Sequence, residues 1–168
     1  AITKTDVFGD FLTCDPVAPG GMVTYQIVAT NNGPSDAAEV FVTGSSAGGV
    51  PTPLFAGLVA DRLPAARVTA LADGSGAYPS VPALNAGIGA LWGTFDARPD
   101  WPEAAAQTPE SWGIPGLFAV AGLHNPNIAM ARHDHAFDEV QSSFAGLAGI
   151  DAANLVQLID QNESEVEA

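Results

Sequence analysis

The residues able to do nucleophilic or acid–base chemistry fall in four short stretches: Gly44-Ser45-Ser46-Ala47-Gly48, Ala72-Asp73-Gly74, His133-Asp134-His135 and Phe137-Asp138-Glu139. The first is a literal G-x-S-x-G, and the apolar run Glu39-Val40-Phe41-Val42-Thr43 leads into it without a spacer. A strand that stops abruptly and turns towards a helix holds one serine on a strained corner, as in a nucleophile elbow. On that reading Ser46 presents its hydroxyl, Gly44 and Gly48 leave room for the turn, and Ser45 has no role. The Ala47 amide, at the start of the next helix, would be an oxyanion donor.

A serine also needs a base and an acid that orients the base. Two carboxylates qualify on residue type and position. Asp138 follows the apolar run Ile128 to Arg132, in the post-strand loop where a triad acid belongs, and Asp73 ends an earlier run and is the second choice. Histidine is the difficulty, because His124, His133 and His135 all precede Asp138. His133 or His135 would serve as base if its loop folded back, since triads are defined by geometry and not by order. His133-Asp134-His135 also invites a zinc reading, but sequence places no third ligand, so no metal and no cofactor is expected.

The elements that must position these groups follow from periodicity. Helical spacing of Leu54, Phe55, Leu58, Val59 and Leu63 predicts a helix after the elbow, ended by Pro64. Arg67 to Leu71 reads as a strand, Asp73 to Gly76 as the loop at its carboxyl end, and Leu84 to Phe95 as a helix. A loop bearing Trp101 and Trp112 follows, then a helix opened by Pro115, a strand from Ile128 to Arg132, and helices over Val140 to Leu147 and Ala152 to Ile159 with Asp151 as N-cap. Strand and helix in alternation predict an α/β fold on a parallel sheet. Asp160 to Ala168 carry four acids and are expected to fray.

Residues 1 to 32 differ in style. Met22 to Thr30 alternates apolar and polar side chains as a half-buried strand does, and Pro-Gly and Asn-Gly-Pro turns flank it. Thr3-Lys4-Thr5-Asp6, Asp15-Pro16-Val17-Ala18-Pro19-Gly20-Gly21, Val23-Thr24-Tyr25 and Thr30 to Ala37 resemble the start of the immunoglobulin-like bacterial surface repeat known as DUF11. The likeness stops near Ala38, after two or three strands, where such a sandwich needs about seven. The organisation read from the chain is therefore a β-rich segment over 1–32, an α/β portion over 33–160 and an acidic tail over 161–168.

Three blocks of the α/β portion, Val40 to Gly49, Ala72-Asp73-Gly74-Ser75-Gly76 and Phe137-Asp138-Glu139-Val140-Gln141, resemble the pectin acetylesterase and Notum-type carboxylesterase family. That resemblance implies a partial α/β-hydrolase, with Ser46 as nucleophile and Asp138 as triad acid, and it puts Asp73 in a loop beside the site. It implies removal of acyl groups such as acetate from esterified sugars or proteins. The family's upstream glycine-rich oxyanion loop and a histidine after the acid have no counterpart here.

Composition sets the outer limits. The 168 residues carry 47% hydrophobic side chains, enough for one domain with a core, and a formal charge of −14 with five basic residues. Nothing offsets phosphate repulsion, so nucleic acid and anionic membranes are excluded as partners. The lone Cys14 rules out an internal disulfide. No apolar run approaches a membrane span, and Ala1 opens neither a signal nor a transit peptide, so the chain is expected to be soluble and, by its surface-repeat likeness, extracellular or at the cell surface.

The expected function is a serine carboxylesterase-like hydrolase of small or carbohydrate esters, incomplete or inactive as this chain for want of the histidine. A partner chain or second copy would complete the sheet. The alternative is a non-catalytic secreted surface or assembly module that works by β-strand pairing. Trp92, Trp101 and Trp112 are either sugar-stacking faces or core anchors.

Overall fold

A computed structural model of the chain describes residues 2–6, 25–29 and 38–168. Cys14 and the turns at 18–21 and 31–34 lie outside the described residues. The chain divides into two compact units, Ala1–Ala37 and Ala38–Ala168. In the first, strands β1 (Ile2–Asp6) and β2 (Tyr25–Ala29) pair antiparallel, Ile2 opposite Ala29 and Asp6 opposite Tyr25.

The second unit is mixed α/β, with a three-stranded parallel sheet in the order β3-β4-β5. Strands β3 (Glu39–Ser45), β4 (Arg67–Asp73) and β5 (Ala129–His133) are joined by helical crossovers, as parallel strands require. The first crossover is α1 (Thr52–Arg62). The second carries α2 (Pro82–Trp92), the short α3 (Pro102–Ala105) and α4 (Ile114–His124). After β5 come α5 (Glu139–Leu147), a 3₁₀ turn at Ala152–Asn154 and α6 (Leu155–Glu167).

Prolines explain four of the helix starts. Pro53, Pro82, Pro102 and Pro115 lie in the first turns of α1, α2, α3 and α4, where the missing amide hydrogen costs nothing. Asp138 caps α5, its carboxylate accepting from the amides of Val140 and Gln141, and Asp151 caps the 3₁₀ turn through Ala153. Helix α6 has its own cap, Asn154, so it begins three residues later than the apolar spacing predicts.

The sheet buries one face. Val68, Ala70 and Ile128 pack with Ala56 and Ala60 of α1, flanked by Val42, Val59 and Met130. On the opposite face Phe41 is 61% exposed, and Thr43 and Ala131 are also open. A second apolar cluster joins Trp101, Ala104 and Trp112 to Leu117 and Val120 of α4. Trp101 stacks on His124 at 4.1 Å, and its indole N–H donates to Asp61 at 2.9 Å. Trp112 donates to the Thr94 carbonyl. These two tryptophans are core anchors, and only Trp92, 70% exposed, is free to stack on a ligand.

The expectation of a frayed acidic tail is corrected. Residues 155 to 167 are helical, because Asn162 is fully buried and bridges Arg132 of β5 to the Tyr78 carbonyl. Glu165 adds a bond to the Ser80 amide at 2.6 Å. Asp160, Glu163 and Glu167 occupy the outer face of an amphipathic helix, Glu165 turns inward to Ser80, and the buried Asn162 amide is the anchor. No helix among the described residues is long and apolar enough to cross a membrane.

Candidate active site

The parallel register brings Ser45, Asp73 and His133 into one row, since Ser45 pairs with Asp73 and Asp73 with His133. All three close their strands, so the row lies at the carboxyl edge of the sheet, where α/β proteins bind ligands. Their side chains meet on the face that no helix covers. His133 Nδ1 stands 2.7 Å from Asp73 Oδ1, and the Ser45 hydroxyl donates to Asp73 Oδ2 at 3.0 Å. These hydrogen bonds, His133 first and Ser45 second, hold the Asp73 carboxyl below the usual carboxylate range. With Nδ1–H donating to the carboxylate, the neutral imidazole keeps Nε2 as an acceptor. His135 packs edge-on against His133 at 4.8 Å.

Ser46 follows directly and is the only described non-glycine residue with a positive φ, 53°. Its neighbours force that corner. A Cβ on Gly44 would overlap the Gly48 carbonyl, and one on Gly49 would come within 2.8 Å of both the Gly44 oxygen and the Ser75 side chain. A Cβ on Gly48 would meet nothing. The glycines that make room for the turn are thus Gly44 and Gly49, and Gly48 contributes its backbone instead. Ser46 opens a 3₁₀ turn, Ser46–Gly48, closed by the Gly49 amide on the Ser46 carbonyl at 2.8 Å. Ala47 therefore sits in this turn and not at the start of α1, which begins at Thr52. Both Ser46 and Ala47 are exposed.

The loop after β4 closes the site from behind. Gly74 and Gly76 take φ of 52° and 89°, values that favour glycine, and this turns the chain back towards α5. The Gly74 amide bonds the His133 carbonyl, Gln141 donates to the Gly74 carbonyl, and the Tyr78 hydroxyl donates to the Gln141 carbonyl at 2.7 Å. Burial, with the charges of Asp138 and Asp134, pushes the Tyr78 phenol up to about 12. Asp134 projects away from the His133 row. Burial raises its carboxyl above the usual range, against the pull of Arg132, whose Nε lies 3.1 Å away.

The sequence candidates separate accordingly. Asp73 and His133 are brought together, with His135 beside them and Ser46 one residue from their row. Asp138 is engaged elsewhere, one oxygen accepting two amides at 2.9 Å as the α5 cap. His124 is held by Asp61 and Glu103 at 2.9 and 3.3 Å beneath Trp101 and belongs to the core. No group of three or more metal-ligating side chains occurs among the described residues. Ser45 is the residue that sequence reasoning passed over. Its signal was parity, because in a strand ending at Ser45 the side chains of Phe41, Thr43 and Ser45 share one face. Comparison of the chain with protein families, curated proteins and solved structures yields no match.

Proposed function

We propose that residues 38–168 carry a serine ester hydrolase site, acting on acyl esters such as acetylated sugars at the cell surface or outside the cell. The observation that carries the reading is the strained Ser46, φ 53°, one residue beyond Ser45, which bonds the carboxylate of an Asp73–His133 pair held at 2.7 Å. Ser46 Oγ attacks the acyl carbonyl and His133 Nε2 takes its proton. Asp73 fixes the imidazole through Nδ1, and Ser45 positions Asp73. The Ala47 amide, in the first turn after the serine where amides lack intrahelical partners, stabilises the oxyanion. His133 then protonates the leaving alcohol, and a water activated by the same imidazole releases the acid and regenerates Ser46.

With the acid at Asp73 and the base after it at His133, the three residues run in the Ser–Asp–His order of the α/β-hydrolases, and the wider hydrolase fold is part of the proposal. The test is hydrolysis of a chromogenic acetate ester by the wild type, Ser46→Ala, His133→Ala and Asp138→Asn. Loss of about three powers of ten in Ser46→Ala and His133→Ala, with Asp138→Asn little changed, is expected. Dependence on Asp138 but not on His133 would move the acid to the α5 cap. A rate at buffer level in every protein would refute the enzyme.

A second reading, a surface module that pairs through strands, is favoured by one observation. Among the described residues the outer strands β3 and β5 each have a single neighbour, which leaves both edges of the sheet without a strand partner there.

A further inference from the structure

The helical layer of the second unit is wider than its sheet. Helix α1 packs beneath β3 and β4, α4 packs against α1, and α6 packs against α4. Among the described residues the sheet ends at β5. Beyond that strand a cleft of about 520 Å³ opens between β5 and α6. Consecutive residues from Met130 to Asp134 line it, so both faces of the strand reach the cleft and it runs along the β5 edge.

Among the described residues no strand pairs with the outer edge of β5. The His133 carbonyl accepts from Gly74 on the β4 side, so residues of its parity are directed inward and the backbone groups of Met130 and Arg132 are directed outward. Phe118, Met130, Ile159 and Val166 supply apolar walls, while Glu163 and Glu167 stand exposed on the α6 rim. The one cation in the cleft, Arg132, is already neutralised by Asp134 and bonded to Asn162. The cleft thus offers a row of strand donors and acceptors, an apolar floor and unpaired negative charge, on a chain of net charge −14.

We infer that this cleft takes an extended basic peptide segment as a fourth strand on β5. Side chains at alternate positions would point down onto Ile159 and Val166 or reach Glu163 and Glu167 with lysine or arginine. Main-chain bonds to Met130 and Arg132 give affinity, and the acidic rim gives the preference for a basic strand over an acidic one. The inference gives the strand-pairing reading a place and a partner class; His133 borders both this cleft and the proposed ester site, but peptide binding requires no turnover at Ser46.

The probe is a fluorescently labelled peptide of alternating lysine and valine, titrated with the full chain at low salt and followed by anisotropy. Controls are the alternating glutamate–valine peptide and a lysine–valine peptide N-methylated on alternate amides. The lysine peptide should bind, and the other two should bind at least about ten-fold more weakly. The double variant Glu163→Lys, Glu167→Lys should weaken the lysine peptide about five- to ten-fold, as two exposed ion pairs allow, and should improve the glutamate peptide. Met130→Pro removes an outward amide and should weaken binding by at least about ten-fold. If that variant melts early, the N-methylated peptide and the charge reversal decide alone. Equal binding of the lysine and glutamate peptides, or of the methylated and unmethylated ones, overturns the inference. So does self-association of the chain that Met130→Pro abolishes without any peptide binding, which would assign the edge to a second copy.

Discussion

Replacing Ser46 by glycine should make the protein more stable while removing the proposed nucleophile. Ser46 is exposed, and among the described residues its hydroxyl makes no hydrogen bond, so Ser46→Ala should move stability by less than about 0.5 kcal/mol. What the alanine variant keeps is the backbone at φ 53°. An L-residue pays about 1–2 kcal/mol to occupy the left-handed region, and glycine does not. Glycine brings a more flexible unfolded chain, which costs roughly 0.5–1 kcal/mol. The difference leaves Ser46→Gly about 0.5–1 kcal/mol more stable than Ser46→Ala, or about 2–4 °C in thermal midpoint for a unit of this size. Urea unfolding of the three proteins in parallel measures it, with unchanged m values confirming that the exposed surface is the same. A glycine variant at or below the alanine variant would refute the strained corner, and with it the argument that the fold holds this serine for chemistry.

Two further outcomes follow from the same edge of the sheet. Gly44→Ala should destabilise by about 2 kcal/mol or more, because its Cβ overlaps backbone that cannot move aside, whereas Gly48→Ala should stay within about 0.5 kcal/mol. Equal melting of these two variants would show that the turn relaxes. The lowered Asp73 carboxyl makes a pH prediction with a definite sign. Its charged form is favoured in the folded state, so the stabilisation is complete above the unfolded value near 4 and is lost as pH falls through the lowered folded value. Thermal midpoints of wild type and Asp73→Asn should therefore differ at neutral pH and converge in acid. A constant gap across that range would show that the His133 and Ser45 contacts do not favour the carboxylate.

Much of the second unit was legible because its signals are local. Periods of two and three and a half, prolines at helix starts and the G-x-S-x-G turn depend on neighbours within a few residues, and β3, α1, β4, α4, β5 and α5 fall close to where those signals put them. The row of Ser45, Asp73 and His133 was not legible, since it depends on register between strands 28 and 60 residues apart. Register is set by which side chains the helices bury, and a linear reading does not contain it. Asp138 shows a different limit of the sequence. A carboxylate just after a strand and just before a helix suits a triad acid and an N-cap equally well, and sequence cannot distinguish two amides of its own chain from a distant imidazole. The tail failed for a third reason: its charge pattern describes the solvent face of α6, while the anchor is the one neutral amide, Asn162, beneath it.

The uneven support beneath the G-x-S-x-G turn bears on what the motif records about the history of such a chain. Gly44 and Gly49 are fixed by collision with backbone and with Ser75, so any lineage that keeps the fold must keep them. Ser46 is exposed and, among the described residues, its hydroxyl has no hydrogen-bond partner, and its backbone would relax as glycine. Under drift without selection for turnover, the serine would be erased first and the two glycines last. A serine standing on that corner is therefore informative about past use in a way that its flanking glycines are not.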